Sequence, residues 1–505
     1  MGPDVLELIL RDESETRLFA EDTAMALAPG DCLCLSGDLG AGKSTFARAL
    51  IRAMADDPDL DVPSPTFTLV QSYETRLPIG HFDLYRLTSV DELEELGLDD
   101  ALSRGAALVE WPERAGDRVS GDDILFRIDG SGDSRRIRVT GPAGFMQRLA
   151  RSRLARTFLA AHGHSGSARR FLQGDASART YEMIRDGAAE PVILMNSPRR
   201  PDGPPIQDGL PYSRIAHLAE DVVPFVAVAR WLRAQGFSAP DIPAADTESG
   251  FLLVENLGSQ TVLDAAGRPD PERYGVAVEC LAALHERSLP GSLDLGLGDG
   301  QAYRLPAYDE AAMRIEVALL VDWYLPWRGQ ADVSAATRQA YFDCWDELFG
   351  RLQAAEKAVV LRDYHSPNLI WCPERGGLAR IGIIDFQDAL IGPAAYDVAS
   401  LLQDARVTVP VEMADRLLGQ YEELRAASDP GFDRKMFREA YAIMAAQRAA
   451  KILGIFVRLK QRDGKPGYLK HLPRIEHYIS TALGHEALRP LRSWFTAAGI
   501  GTTES

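Results

Sequence analysis

Residues 31–54 read DCLCLSGDLGAGKSTFARALIRAM, and their pattern predicts the architecture of the first part of the chain. The apolar run before the glycines predicts a buried strand, and the amphipathic run after them predicts a helix. The connection between the two has the spacing GxxxxGK[ST], which is matched by Gly37, Gly42, Lys43 and Ser44. Because a glycine-rich turn between strand and helix is a phosphate-binding loop, the stretch predicts an α/β domain that holds a nucleotide.

The residue types in this loop explain its chemistry. Glycines such as Gly40 let backbone N–H groups curl around phosphate oxygens, and the following helix N-terminus adds positive potential. We expect Lys43 to neutralise the β- and γ-phosphates of ATP and Ser44 to offer its hydroxyl to Mg²⁺. Hydrolysis also needs acids. Asp83 and Glu110 are the candidates, although each is equally well explained as a solvated acid at a strand end.

Patterns outward from this stretch predict the rest of the unit. GAALVEWPER (105–114) reads as another buried strand, and DDILFRIDGSGDSRRIRVTG (122–141) alternates apolar and polar residues as a closing β-hairpin does. GPAGFMQRLARSRLARTFLAAHG (141–163) is basic and helical. We therefore place a first domain at 1–142 and a linker helix at 143–165.

The rest of the chain predicts a two-lobed α+β domain. FLQGDASARTYEMIRD (171–186) and EPVILMNSP (190–198) read as strands of a nucleotide-binding lobe, which we place at 166–258. From about Pro271 onward the sequence is mostly amphipathic helix with short strands, and we place this second lobe at 259–495. The total of 505 residues suits this division, because domains typically span ~100–200 residues.

The helical lobe contains a second phosphate-handling pattern. LRDYHSPNLIW carries Asp363 and, five residues later, Asn368, while IGIIDFQDA carries Asp385 after an apolar strand. This spacing suits phosphotransfer, in which one Asp accepts a hydroxyl proton while an Asn and a later Asp hold Mg²⁺. GDASART is a candidate loop over the phosphates, although with its single Gly174 the segment taken alone reads as a turn.

Composition limits the function classes. The chain is 46% hydrophobic and 25% charged, as globular proteins are, and its formal net charge of -18 disfavours direct DNA binding. Its acidic N-terminus does not resemble a signal peptide, and no apolar run predicts a membrane span. The five cysteines form no zinc-like cluster, so we expect them to be reduced. We expect a soluble, cytoplasmic protein.

Five motifs occur in order within about the first 140 residues: GDLGAGKST, SPTFTLVQSYE, HFDLYRL, DELEELGLDD and ALVEWPER. Together they resemble the TsaE family, the ATPase subunit of the bacterial machinery that makes threonylcarbamoyladenosine in tRNA. The resemblance implies a P-loop NTPase that hydrolyses ATP to drive the cycle of a transferase complex. The implied partners are the subunits of that threonylcarbamoyltransferase complex.

The same resemblance implies roles for individual residues. Lys43 and Ser44 hold phosphate and Mg²⁺, and Thr45 follows where the family usually has a second threonine. A switch-like loop near the γ-phosphate is formed by Ser64, Pro65 and Thr66. The two acids Asp83 and Glu110 serve Mg²⁺ and the attacking water, and Trp111 flanks the site. Ser44 replaces the usual first threonine and keeps its hydroxyl. The implied cofactors are ATP and Mg²⁺.

A second series of motifs is ordered over about residues 170–480: LQGDASARTYEMI, VILMNSP, GFLLVENLG, LHER, RDYHSPNLIW, DFQDALIGPAAYDVASLLQDAR and KILGIFVRL. These resemble the aminoglycoside-phosphotransferase-like kinases, small-molecule relatives of protein kinases. Within that group they are similar to the anomeric sugar kinases that phosphorylate N-acetylmuramate and N-acetylglucosamine at C1 in bacterial cell-wall recycling. The implied architecture is a P-loop domain followed by a two-lobed, protein-kinase-like domain.

This second resemblance also implies residue roles. Asp363 is the base, and Asn368 and Asp385 are metal ligands. The segment Glu255 to Gly258, which includes Leu257, forms the hinge that holds adenine. The nucleotide is also contacted by Gly174, Ser177 and Arg179, and the residues near the sugar are Asp388, His365 and Arg406. An amino sugar is the implied substrate.

Two departures from the kinase pattern leave alternatives open. Met195 and Asn196 stand where protein kinases have a β3 lysine, so the phosphate-neutralising cation is unassigned, with Arg179 as a candidate. Leu361 replaces the usual histidine of the catalytic loop. One alternative is a different acceptor, such as an aminoglycoside or a choline-like alcohol. The other is a nucleotide-sensing module that regulates the ATPase.

Overall fold

The computed structural model describes most of the chain, namely residues 5–87, 89, 92–118, 123–172, 179–298, 300–329 and 333–498. The chain divides into two compact units, Met1–Asn196 and Ser197–Ser505. Most of the predicted phosphate loop GDASART (174–180), including Gly174 and Ser177, lies outside the described residues.

A mixed β-sheet is the framework of the first unit. Its strands are β1 (Leu6–Leu10), β2 (Cys32–Ser36), β3 (Val70–Tyr73), β4 (Ile79–Asp83), β5 (Ala106–Glu110), β6 (Ile124–Ser131) and β7 (Ser134–Thr140). Among the described residues their order across the sheet is β1-β7-β6-β2-β5-β4-β3. β2 lies parallel to β5 and β6, β4 lies parallel to β5, and β6–β7 is the predicted antiparallel hairpin. This arrangement is consistent with the predicted α/β P-loop domain.

Helices cover the sheet because each has one apolar face. They are α1 (Glu13–Ala26), α2 (Lys43–Ala55), α3 (Glu92–Glu95), α4 (Leu98–Arg104) and α5 (Ala143–Ala161). α5 covers most of the predicted linker helix. Its Leu149 is buried in the same core cluster as Phe19 of α1 and Phe46 of α2, so α5 packs as part of this α/β body.

Three further strands complete the first unit: β8 (Ala168–Leu172), β9 (Thr180–Arg185) and β10 (Val192–Asn196). β9 pairs antiparallel with both β8 and β10. They cover the strands predicted for the second nucleotide-binding lobe, yet they cluster with the α/β body.

The second unit is mostly helical, as predicted. Its helices are α6 (Tyr212–Ile215), α7 (Val223–Ala234), α8 (Pro271–His285), α9 (Glu310–Leu319), α10 (Leu325–Trp327), α11 (Ala335–Leu352), α12 (Ala395–Leu402), α13 (Val411–Ser428), α14 (Arg434–Gln461), α15 (Leu472–Leu483) and α16 (Arg489–Ala497). By length and composition α14 is the one described helix that would suit a membrane span, but 83% of its most apolar window is buried inside the protein. Core helices of soluble proteins have the same properties.

Short strand pairs position the loops of this unit. The strands are β11 (Pro205–Gln207), β12 (Leu210–Pro211), β13 (Ala244–Asp246), β14 (Phe251–Glu255), β15 (Leu293–Asp294), β16 (Ala302–Tyr303), β17 (Lys357–Val360), β18 (Leu369–Trp371), β19 (Ile381–Ile383) and β20 (Leu390–Pro393). β17 pairs with β20 and β18 with β19, both antiparallel. The connections next to these pairs carry the candidate phosphotransfer residues.

Candidate active sites

The glycine-rich loop joins β2 to α2, and its backbone geometry requires glycine. At Gly37 a Cβ atom would lie 2.2 Å from the carbonyl oxygen of Ile128, and Gly42 has a φ of 108°, where other residues are strained. The loop curls around Lys43, whose Nζ donates hydrogen bonds to the carbonyls of Gly37 (2.7 Å) and Asp38 (2.9 Å). The lysine is thereby fixed at the N-terminus of α2, where a phosphate-binding cation is expected.

Lys43 also lies against an aromatic pair. Its Nζ is 3.5 Å from the centroid of the Trp111 ring, and that ring is 5.0 Å from the ring of Tyr85. A cation over an indole face is favourable. Burial lowers the pKa of Lys43, while the acids around it, Glu110 foremost, oppose that shift. Trp111 therefore flanks the loop, as the TsaE resemblance implies.

Two acids meet at the ends of adjacent parallel strands. Asp83 on β4 is in register with Glu110 on β5, and the two residues are 3% and 1% exposed. Asp83 Oδ2 accepts hydrogen bonds from the hydroxyls of Ser64 (2.9 Å) and Thr66 (2.8 Å). Glu110 Oε2 accepts one from the Ser44 hydroxyl at 2.9 Å. The structure thus brings the predicted hydroxyls and acids together, and two buried, hydrogen-bonded acids do not fit a solvated strand end.

His81 is a residue of this site that the sequence analysis did not single out. Its Nε2 lies 3.0 Å from Glu110 Oε1, and both side chains are 1% exposed. The alternation of side chains along a strand could have revealed it. His81 and Asp83 lie two residues apart on β4, so their side chains project to the same face of the sheet. His81 and Ser44 together contact both carboxylate oxygens of Glu110 and fix its orientation.

The second site is built on the loop between β17 and β18. Asp397 of α12 accepts hydrogen bonds from the backbone N–H groups of Leu361 (2.6 Å) and Arg362 (2.9 Å). The next residue is Asp363, whose carbonyl accepts a hydrogen bond from Asn368 Nδ2 at 2.9 Å. Asp397 therefore fixes the backbone immediately before the candidate base.

Asp385 follows β19 and lies beside this loop. The Ile384 amide donates to the Asn368 carbonyl at 3.0 Å, which puts the two candidate metal ligands side by side. Asp385 has a φ of 59°, a strained value for a non-glycine residue, and its Oδ1 accepts a hydrogen bond from Gln387 at 3.0 Å. Strained backbone is characteristic of functional positions.

A buried ionic network lies beneath the catalytic loop. Glu316 of α9 pairs with Arg362 and, at 3.0 Å, with Lys451 of α14. Burial by itself raises the pKa of Glu316, but Lys451 and Arg362 outweigh burial and hold the pKa at about 2. The sequence pattern did not reveal this network, because its members are far apart in the chain.

Asp404 connects the catalytic loop to Arg406. Asp404 accepts hydrogen bonds from the backbone N–H groups of Ser366 (2.8 Å) and Arg406 (2.7 Å). His365 Nε2 lies 3.9 Å from Asp363 Oδ1, and burial lowers the pKa of His365. The contact of His365 and Arg406 with a sugar, which the kinase resemblance implies, stays a prediction.

Asp388 and the predicted adenine hinge lie at defined positions in the same unit. Asp388 Oδ1 accepts a hydrogen bond from the Ala219 amide at 2.7 Å. Glu255 ends β14, pairs with Arg375, and accepts a hydrogen bond from the Asp241 amide at 3.0 Å. The Glu255 carboxylate is thus engaged by protein groups, and the role of Glu255 to Gly258 in holding adenine stays a prediction.

The remaining predicted residues are less informative. Gly40 has a φ of 80° within the loop, and Thr45 lies in the first turn of α2. Arg179 is described and stands one residue before β9. The roles of Gly174 and Ser177, outside the described residues, stay predictions.

The oxygen donors at both sites fit Mg²⁺. Ser44, Asp83 and Glu110 offer one hydroxyl and two carboxylates, and Asn368 and Asp385 offer an amide oxygen and a carboxylate. Within the described ranges, no three His, Cys, Asp or Glu side chains converge as a metal cage. Mg²⁺ typically needs no such cage, since it binds through one or two carboxylates together with the phosphates of the substrate.

Comparison with known families matches two regions of the chain. Residues 10–137 match the family model described as threonylcarbamoyl adenosine biosynthesis protein TsaE, and residues 168–434 match the phosphotransferase enzyme family. The chain belongs to both families. It is a fusion of a TsaE region with a phosphotransferase region, and therefore an enzyme with ATPase and kinase parts.

Individual relatives cover each region. An N-acetylmuramate/N-acetylglucosamine kinase of Caulobacter vibrioides is 37% identical over 350 residues, which are 67% of this chain and 94% of that protein. The TsaE protein of Rickettsia bellii is 44% identical over 108 residues, 21% of this chain and 74% of that protein. A solved choline/ethanolamine kinase family protein from Mesorhizobium loti has a TM-score of 0.40 at 16% identity, covering 70% of this chain and 100% of that one. The kinase-like fold rests on the family match.

Proposed function

We propose that the chain is a bifunctional cytoplasmic enzyme. Its TsaE region hydrolyses ATP in support of tRNA N6-threonylcarbamoyladenosine synthesis. Its phosphotransferase region transfers a phosphoryl group from ATP to C1 of N-acetylmuramate or N-acetylglucosamine. One observation carries the kinase assignment. Asp363 and Asn368 lie on the loop between β17 and β18, and Asp385 lies beside them, directly after β19. The acceptor is assigned from the named kinase relatives.

In the ATPase site, the chain supplies charge and orientation. Lys43 balances charge on the phosphates, together with the backbone N–H groups that begin α2. Glu110, held by His81 and Ser44, is oriented to accept a proton from the attacking water. Ser44 and Asp83 would hold Mg²⁺, which would supply positive charge against the phosphates.

In the kinase site, Asp363 accepts the proton of the sugar hydroxyl as the hydroxyl oxygen bonds to the γ-phosphorus, the bond from that phosphorus to the bridging oxygen breaks, and ADP leaves. Asn368 and Asp385 would hold Mg²⁺. Correct positioning of the reacting groups supplies most of the catalysis in phosphoryl transfer. The contacts of Asp397 with the loop backbone hold Asp363 in position.

The partner of the ATPase site is a threonylcarbamoyltransferase subunit. Large apolar side chains surround this site, with Leu39 81%, Phe67 82% and Tyr85 43% exposed. Soluble proteins rarely expose such groupings unless a partner covers them. Leu39 lies in the phosphate loop itself, so a subunit bound to this surface would contact the nucleotide site.

The assignment is tested by incubating the chain with labelled ATP and N-acetylmuramate, N-acetylglucosamine or an aminoglycoside. Labelling of the amino sugars, with far less on the aminoglycoside, supports the proposal. Labelling of the aminoglycoside alone would show that the acceptor is an aminoglycoside and not a free amino sugar. ATP hydrolysis without any labelled acceptor would favour a regulatory role for the second unit.

A further inference from the structure

The β8–β9 hairpin belongs to two parts of the protein at once. By sequence it opens the phosphotransferase region, since the family match begins at residue 168. By packing it belongs to the first unit, which extends to Asn196. The ATPase body therefore has a surface that holds the first strands of the kinase.

The contact depends on a buried charge cluster, which consists of Glu21 and Asp22 on α1, Arg156 on α5, Arg169 on β8 and Glu182 on β9. Arg169 has a fully buried side chain and donates to both oxygens of Glu182, at 2.6 and 2.9 Å. Its Nη1 donates to Asp22 Oδ1 at 2.6 Å. Arg156 donates to the same oxygen at 3.0 Å and to Glu21 at 2.9 Å.

Within this cluster Asp22 is the carboxylate that contacts an arginine on each side. Two neutral contacts also join body and hairpin: Arg169 donates to Ser152 of α5 at 3.1 Å, and Arg156 donates to the Ser167 carbonyl at 3.0 Å. If Asp22 were lost, Arg169 would keep Glu182 within the hairpin, and Arg156 would keep Glu21 within the ATPase body. Hydrogen bonds of this charge-assisted kind are strong when buried. Removing the Asp22 charge therefore weakens the connection between body and hairpin while leaving each arginine paired.

Flanking contacts extend the same surface. The Arg76 guanidinium, in the turn between β3 and β4, lies 5.0 Å from the Phe171 ring of β8. Arg151 of α5 donates to Asn196 Oδ1, at the end of β10, at 2.7 and 2.9 Å. β8 and β10 are thus held at several points.

We propose that the ATPase body is the docking platform for the first hairpin of the kinase, and that phosphotransfer requires this docking. The inference rests on the proposed kinase function. In kinases the first strands position residues over the ATP phosphates, and Arg179, the candidate cation, stands directly before β9. The two regions are then mechanically joined rather than being independent domains on a linker.

The test uses full-length Asp22→Asn, with Glu13→Gln on the exposed side of α1 as the matched control. Sugar phosphorylation is measured in each, ATP hydrolysis is measured in an added Asp363→Asn background, and hydrogen exchange is followed at β9 and β2. We expect Asp22→Asn to lower kcat/KM for ATP in phosphotransfer by about ten-fold or more and to speed exchange at β9. Hydrolysis and exchange at β2 stay within about two-fold of the parent.

Two outcomes overturn the proposal: unchanged phosphotransfer with unchanged β9 exchange, or an equal fall of hydrolysis and phosphotransfer. If Asp22→Asn does not fold, the double variant Ser152→Ala, Asp56→Asn is judged by the same criteria, because it removes two other contacts of β8 with the body and leaves the Arg169–Glu182 pair intact. Exchange at β9 does not depend on the acceptor. If the wild-type chain phosphorylates no sugar, but Asp22→Asn still speeds exchange at β9, then the assigned acceptor is wrong and the docking contact is supported.

Discussion

His81 Nε2 lies 3.0 Å from Glu110 Oε1 in a pair of side chains that are each 1% exposed. The opposite oxygen of Glu110 accepts a hydrogen bond from Ser44. A carboxylate held at both oxygens loses much of its rotational freedom, so His81 acts as a positioning residue for Glu110, the acid that we propose accepts a proton from the attacking water.

His81→Ala is therefore expected to lower kcat for ATP hydrolysis by about ten-fold with little change in KM for ATP. The reason is that Lys43 and the loop, which bind the phosphates, are untouched. His81→Gln, which restores a donor toward Glu110, should recover part of the rate. Steady-state hydrolysis in an Asp363→Asn background measures this, and a change confined to KM would contradict it.

Trp111→Leu tests the aromatic cover of Lys43. The substitution removes the indole face 3.5 Å from Lys43 Nζ and a contact of the proposed partner surface. We expect KM for ATP to rise by about three- to ten-fold, because a partly desolvated cation–π contact contributes ~1 kcal/mol. Phosphotransfer to the sugar, measured in the same preparation, should not change.

Asp397→Asn tests whether the hydrogen bonds of Asp397 to the backbone of the catalytic loop are needed for phosphotransfer. Each carboxylate oxygen of Asp397 accepts one backbone N–H, whereas an asparagine must point its own NH₂ at one of them. We expect sugar phosphorylation to fall by about ten- to hundred-fold, since hydrogen bonds to charged groups contribute ~1.5–3 kcal/mol. Glu412→Gln, exposed on α13, is the control, and equal activity of the two variants would refute the bracing role.

Glu316 predicts a pH dependence of stability. Its pKa falls from an ordinary 4.5 to about 2 in the fold, through Lys451 and Arg362 acting against burial. A depressed carboxyl pKa stabilises the fold above about pH 4.5, and this contribution disappears as the pH falls toward 2. At neutral pH, Glu316→Gln should lower the free energy of unfolding by on the order of 3 kcal/mol. Chemical denaturation between pH 7 and 3.5 should show the difference from wild type shrinking with acidity. A constant difference would contradict the assignment.

Local patterns predicted the parts of the molecule that are contiguous in sequence. The phosphate loop of residues 37–45 and the Asp363–Asn368 loop were found because their chemistry is fixed by short spacing. Asp397, Glu316 and His81 were not found, because each acts through a partner distant in the chain. The packing of β8 and β9 onto α1 was also not predictable, since Asp22 and Arg169 are 147 residues apart.

The central claim is that one chain carries two separate ATP-dependent activities. The most direct measurement compares amino-sugar labelling and ATP hydrolysis in wild type, Lys43→Ala and Asp363→Asn. The account predicts that Asp363→Asn alone abolishes sugar labelling, and that Lys43→Ala abolishes only the hydrolysis that occurs without sugar. Loss of sugar labelling in Lys43→Ala, or its persistence in Asp363→Asn, would contradict the account.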